Sequence, residues 1–151
     1  MKHELPSKPL CVHDGDKEAH AVLRWGRWLP LELNPLYRDS VTELRDAGRR
    51  VAQVTDLYST DGLRLIRALL RHILAEAQAR DVTDIVAVVS PRHARNYATL
   101  RFVDLRPDDA PRVWDLARDT EGDLLPTRLI RLALDAIPPD KLRKFVGGCD
   151  R

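Results

Sequence analysis

No apolar stretch of this 151-residue chain approaches the ~20 residues that a bilayer-spanning helix needs. The amino terminus, Met1-Lys-His-Glu-Leu-Pro-Ser7, lacks the apolar core of a secretory signal. A transmembrane segment is therefore not expected, and a cytoplasmic protein is. Cysteine is almost missing. Cys11 and Cys149 stand near opposite ends. Free thiols are the simplest reading of them, and metal binding lacks the second pair it would need. A dominant charge is missing as well: 25 basic against 23 acidic residues leave a net charge of +2. That balance gives no global field for nucleic acid, so only local basic patches remain to be considered. Internal repeats and low-complexity segments are absent too.

What is present suits a packed domain: 44% hydrophobic and 32% charged residues, in a chain long enough to bury a core. Lys8–His13 and Ala19–Trp25 read as the two strands of a hairpin closed at Asp14-Gly15, because Asp-Gly accepts the positive φ of a tight turn. Leu29–Tyr37 contains two prolines and reads as irregular. Ser40-Val-Thr-Glu43 matches a capping box, so a short helix is predicted to about Ala47, with Gly48 as its stop. Arg50–Leu57 is a third strand. Gly62–Arg80 is the strongest helix, with Leu63, Ile66, Leu69, Leu70, Ile73, Leu74 and Ala77 on one face. Asp84–Val89 is an almost unbroken apolar strand, the pattern of a strand covered on both sides. Arg92 to about Leu100 is a helix, and Phe102–Leu105 and Pro111–Ala117 are strands. Leu125, Leu129, Leu132 and Ala136 predict a last amphipathic helix, Leu125–Ile137, ended by Pro138-Pro139. The order is β-β-α-β-α-β-α-β-β-α.

The stretch Val82-Thr-Asp-Ile-Val-Ala-Val-Val-Ser-Pro-Arg-His-Ala-Arg-Asn-Tyr97 is the most informative. A buried strand runs into a Ser90-Pro91 break, and the helix that follows carries His93 and Tyr97 on one face. Together with Leu29-Pro-Leu-Glu32 and Leu44–Leu57, this stretch resembles the long-chain N-acyl amino acid synthases. These are relatives of the acyl-homoserine-lactone synthases within the GNAT acyltransferase fold. The resemblance covers roughly residues 8–118 and implies an α/β (α+β) fold, a mixed central sheet flanked by helices. It implies one GNAT-like domain over 1–151, with the last helix and tail after residue 118. The chain starts at what would be the second strand, so the family's first strand and helices are expected to be lacking.

The resemblance implies transfer of an acyl group from an acyl carrier protein or coenzyme A thioester to the amino group of an amino acid or similar amine. Such a step needs a neutral amine, a donor to the tetrahedral oxyanion, and help for the leaving thiolate. Tyr97 is the candidate to protonate the thiolate, His93 to orient Tyr97 or bind the thioester arm, and backbone around Gln53–Thr55 to meet the oxyanion. Gln53 stands where the family carries an acid, so a candidate base is replaced by a hydrogen-bonding amide. Val54, Thr55, Leu57, Ser59, Thr60, Gly62, Ser90 and Arg92 are implied as binding residues for the donor. The loop Tyr58–Gly62 has one glycine and the acid Asp61, which competes with a phosphate for the helix dipole. A carrier-protein donor is therefore favoured over coenzyme A, and Arg64, Arg67, Arg71, Arg92 and Arg95 form its candidate docking surface. No tightly bound cofactor is expected. Three further departures stand beside Gln53: Asn96 replaces an aromatic, Leu100-Arg-Phe102 lacks a glycine, and the start is short. They support an alternative, a catalytically inactive relative that binds acyl groups or carrier proteins, or acts as a homodimeric interaction protein.

Overall fold

The computed structural model describes residues 6–105, 112–118, 121–122 and 124–147. Gly15, at φ +65°, turns strand β1 (Ser7–Asp14) into β2 (Lys17–Arg24), with Asp14 opposite Lys17. After β2 come a 3-10 turn (Pro30–Leu33), helix α1 (Pro35–Asp46) and strand β3 (Val51–Ser59). Helix α2 (Gly62–Ala79) leads to β4 (Asp84–Val89), and α3 (Pro91–Ala98) to β5 (Val103–Asp104). Strands β6 (Arg112–Arg118) and β7 (Leu124–Ala133), a 3-10 turn (Leu134–Ala136) and α4 (Pro139–Gly147) follow. The sheet runs β1-β2-β3-β4-β7-β5, with β6 pairing onto β7. Only β3 and β4 are parallel among the paired strands; the other pairs are antiparallel. The expected mixed sheet flanked by helices is therefore observed.

Two apolar layers cover the sheet. On one face, Leu65, Leu69, Leu70, Ile73, Leu74 and Ala77 of α2 pack on Ala19, Ala21, Leu23, Ala52, Ile85 and Ile130. On the other, Tyr37 and Val41 of α1 join Leu29, Leu31, Val51, Val86 and Leu129. Strand β4 sends Ile85 and Ala87 to the first layer and Val86 to the second, which explains its unbroken apolar run.

Three expectations are corrected. The last helix, Leu125–Ile137, is instead strand β7, registered against β4 from Asp84↔Ala133 to Val89↔Arg128. Leu129 faces the α1 layer while Ile130 and Leu132 face the α2 layer. A strand buried on both faces mimics helical spacing in so short a run, and the backbone pairing that β4 requires overrides the helix preference of Leu, Arg and Ala. Pro138-Pro139 consequently begins a helix rather than ending one, since Pro139 opens α4 where no N–H is needed. The capping box at Ser40 does not start α1. Pro35 does, Arg38 N already bonds Asn34 O at 2.9 Å, and Ser40 is buried in mid-helix. Cys11 is an exposed free thiol, and Cys149 lies outside the described residues.

At the far end of β4 a buried charge is held by three neighbours. Asp84, with no solvent exposure, accepts from Arg49 Nε at 2.6 Å, Thr83 Oγ1 at 2.6 Å and Arg131 Nε. Arg49 also clasps Asp135 with both terminal nitrogens, at 2.6 and 2.9 Å. This clasp raises the Arg49 pKa and lowers that of the Asp135 carboxyl. No helix among the described residues is long and apolar enough to cross a membrane.

Candidate active site

The parallel strands β3 and β4 pair at three positions only: Val51↔Asp84, Ala52↔Ile85 and Gln53↔Val86. Beyond that rung β3 runs on to Ser59 against β2, and β4 runs on to Val89 against β7. The two strands have parted company, and their facing backbone groups have no partner strand there. A bulge interrupts the other edge of β3, just past the same point. Val22 pairs with Thr55 and His20 with Tyr58, so β3 spends three steps where β2 spends two. The extra residue includes Asp56 at φ +56°, a left-handed conformation that aspartate tolerates better than most residues. Val54 and Leu57, three apart, would face opposite ways in a regular strand. Across the bulge both face α2.

They line an apolar pocket with Ile66 and Leu70 of α2, Ala87 of β4, and Tyr97, Leu100 and Phe102 at the end of α3. Its unfilled space is about 360 Å³, part of it open to solvent. The lining is apolar apart from the Tyr97 hydroxyl, which suits a hydrocarbon better than a polar group.

Tyr97 is half-buried at the pocket wall, its ring edge-on to Phe102 at 5.9 Å between centroids. Burial pushes its phenol up to about 12, because a charged phenolate would be poorly solvated there. Tyr97 thus stays protonated across the neutral range. The helix that presents it starts from Ser90, whose Oγ accepts His93 N at 3.2 Å, with Pro91 in the first turn. Ser90→Ala should cost ~1 kcal/mol through loss of this cap, read as a lower midpoint of thermal unfolding, while Ser90→Asp should retain most of it. His93 is exposed and makes no hydrogen bond with Tyr97 among the described residues.

Gln53 lies on the opposite, α1 face of the same rung, 3% exposed. Its Oε1 accepts Leu31 N at 2.9 Å. The turn that supplies Leu31 is itself fixed: Glu32 accepts Leu29 N at 3.1 Å and Arg45 at 2.8 Å, and Arg45 also donates to Gly26 O and Arg27 O, both at 2.9 Å. In the sequence Glu32 and Arg45 are merely members of two separate segments, Leu29–Glu32 and Leu44–Leu57. Their spacing carries no signal until the loop folds between them.

The loop after β3 is occupied by its own bonds. Ser59 Oγ donates to Gly62 O and accepts Asp61 N, and Thr60 Oγ1 pairs with the backbone of Glu18. The Asp61 carboxylate is held below its ordinary range by Arg64, with Lys17 adding to the effect. Arg64 is shared between Asp61 at 2.5 Å and Asp14 at 2.8 Å. Thr55 Oγ1 accepts Arg24 Nε at 2.9 Å. Arg67, Arg71 and Arg95 are exposed and free of ion pairs among the described residues, and the Arg92 side chain lies outside them. The structure therefore gathers Val54, Leu57 and Tyr97 on one side of the parted strands and Gln53 on the other. It leaves Ser59, Thr60 and Gly62 in a self-bonded loop.

Comparison with known proteins places the chain in a family and a fold. The family described as N-acyl amino acid synthase FeeM matches residues 3–114. Among solved structures, FeeM, an N-acyl amino acid synthase from uncultured soil microbes, is similar with a TM-score of 0.63. It is 14% identical, over 84% of this chain and 72% of that one. BjaI, a CoA-dependent acyl-homoserine lactone synthase solved with SAM and isopentyl-CoA, is similar with a TM-score of 0.51. It is 12% identical, over 93% of this chain and 64% of that one. At such identities the two structures support the fold, which is GNAT-like. No protein of curated function matches the sequence.

Proposed function

Because the chain belongs to the FeeM N-acyl amino acid synthase family, we propose that it moves an acyl group from a thioester to the amino group of an amino acid or similar amine. The observation that carries this reading is the parting of β3 and β4 beside an apolar pocket walled by a protonated phenol. The acyl chain lies in the pocket and the thioester carbonyl sits between the strands. The amine nitrogen attacks that carbon, and backbone N–H groups past the Gln53 rung hold the oxygen as it becomes negative. The C–S bond then breaks and the thiol departs with one proton, the amine having released one.

Tyr97 donates a hydrogen bond to the departing sulfur. Full proton transfer is uphill, since a phenol near 12 is a weaker acid than a thiol, whose ordinary pKa is ~8.5. The phenol therefore stabilises the thiolate and keeps its proton, and solvent completes the thiol. The small neutral fraction of the amine is the attacking species, and solvent rather than a carboxylate takes the proton it releases.

An acyl carrier protein is the favoured donor. The loop before α2 is filled by its own hydrogen bonds and Asp61, which suits a pyrophosphate poorly, and Arg67, Arg71 and Arg95 offer an acidic partner unpaired cations. The test incubates the protein with long-chain acyl carrier protein or acyl-coenzyme A and a mixture of amino acids, followed by mass spectrometry. N-acyl amino acids are expected, faster from the carrier protein. Folded protein that yields no product with either donor would sink the proposal.

A further inference from the structure

Gln53 is more constrained than a replaced acid need be. Its Oε1 is committed to Leu31 N, so the orientation of the carboxamide is fixed and its Nε2 points the other way. Among the described residues Nε2 has no hydrogen-bond partner, on a side chain that is 97% buried. Among the described residues every side-chain nitrogen or oxygen that is fully sealed from solvent has a partner, so Nε2 lies where something can reach it. Its two N–H donors are therefore available to solvent, and a ligand that displaces that solvent must accept from them to avoid a penalty. They stand on the last rung before β3 and β4 part, on the face away from the apolar pocket.

We propose that the Gln53 carboxamide binds the carboxylate of the acceptor amino acid and so selects acceptors that carry one. The proposal rests on the acyl-transfer reading of this site and deepens it. Donors alone cannot take a proton from the amine or meet an ammonium. They meet an oxygen, and on the face opposite the acyl pocket the oxygen at hand is the acceptor's. Glu32, next to Leu31, is neutralised by Arg45 and so does not repel an incoming anion. The Arg45–Glu32–Leu31 turn is the device that keeps the amide facing the right way.

Two variants and two acceptors test this. Gln53→Met removes the donors at similar volume. Gln53→Glu keeps an acceptor for Leu31 N, and with it the fold, but presents a negative charge. Kinetics with glycine and with glycinamide should show the wild type preferring glycine, with a KM about tenfold lower, as one hydrogen bond to a charged group predicts. Gln53→Met should abolish that preference by raising KM for glycine at nearly constant kcat, and Gln53→Glu should reverse it. Calorimetric binding of N-dodecanoylglycine against its carboxamide gives the same comparison without turnover. A wild type indifferent to the carboxylate overturns the proposal even if the protein is active, and acyl transfer itself then stands. A rise in kcat/KM for both acceptors in Gln53→Glu also overturns it, by revealing a missing base. Carboxylate-selective binding that depends on Gln53 in a protein without turnover would retain it and discard the catalytic reading.

Discussion

Tyr97→Phe should lower kcat about 100-fold, the typical cost of one hydrogen-bond donor aimed at developing charge, while acyl-chain binding changes little. The ring keeps its edge contact with Phe102 and its place in the pocket wall, because only the hydroxyl is lost. The pH profile adds a signature. With the phenol pushed up to about 12, the rate should rise as the amine loses its proton and show no descending limb until well above pH 10. Stability carries the matching sign. The folded pKa lies above the unfolded value near 10, so the contribution is intact below pH 10 and is lost as pH climbs from about 10 towards 12. Tyr97→Phe should remove that part of the alkaline loss. Single-turnover rates and unfolding midpoints in one set of buffers measure both. A fully active phenylalanine variant would take Tyr97 out of the chemistry.

Asp84→Asn should be the most destabilising conservative change in the chain, about 3 kcal/mol, as when one partner of a buried ion pair is removed. The carboxylate has no exposure and faces two guanidiniums, Arg49 and Arg131. An amide can satisfy one of them, but it turns a donor towards the other. At this chain length the loss corresponds to a fall in melting temperature of roughly 10 °C. Asp135→Asn, on the exposed rim of the same network, should cost far less because solvent screens it. The Asp135 carboxyl is held below its ordinary range, so its share of stability is present at neutral pH and is lost as pH falls through the acid range. Thermal scans of the two variants at pH 7 and pH 4 separate buried from rim charge, and equal losses at both sites would contradict this account.

The elements that announce themselves locally were legible from the chain. Asp14-Gly15 forces a hairpin, the spacing from Leu63 to Ala77 forces α2, and Ser90-Pro91 ends one element and caps the next. Strand β7 was not legible, because burial on both faces erases the alternation that marks a strand, and Leu-rich segments serve either state. The bulge left a faint signature. Val54 and Leu57 are apolar at a spacing of three inside a strand, which regular alternation forbids and one extra residue at Asp56 explains. The site split along the same line. Tyr97 could be picked out beside its helix start. The fixed direction of the Gln53 amide depends on a backbone group 22 residues away in sequence, which only the folded chain brings near.

The three rungs between β3 and β4 have a mechanical meaning. Among the described residues they are the one place where the sheet's two halves, β1-β2-β3 and β4-β7-β5, pair strand to strand, and they lie at a single end. Such a sheet behaves like a clothes peg, clamped at the Asp84 end and free at the Tyr97 end. On the proposed acyl-transfer reading, a guest wedged between the jaws would break no rung, and a long donor would enter and leave without any part of the sheet unzipping.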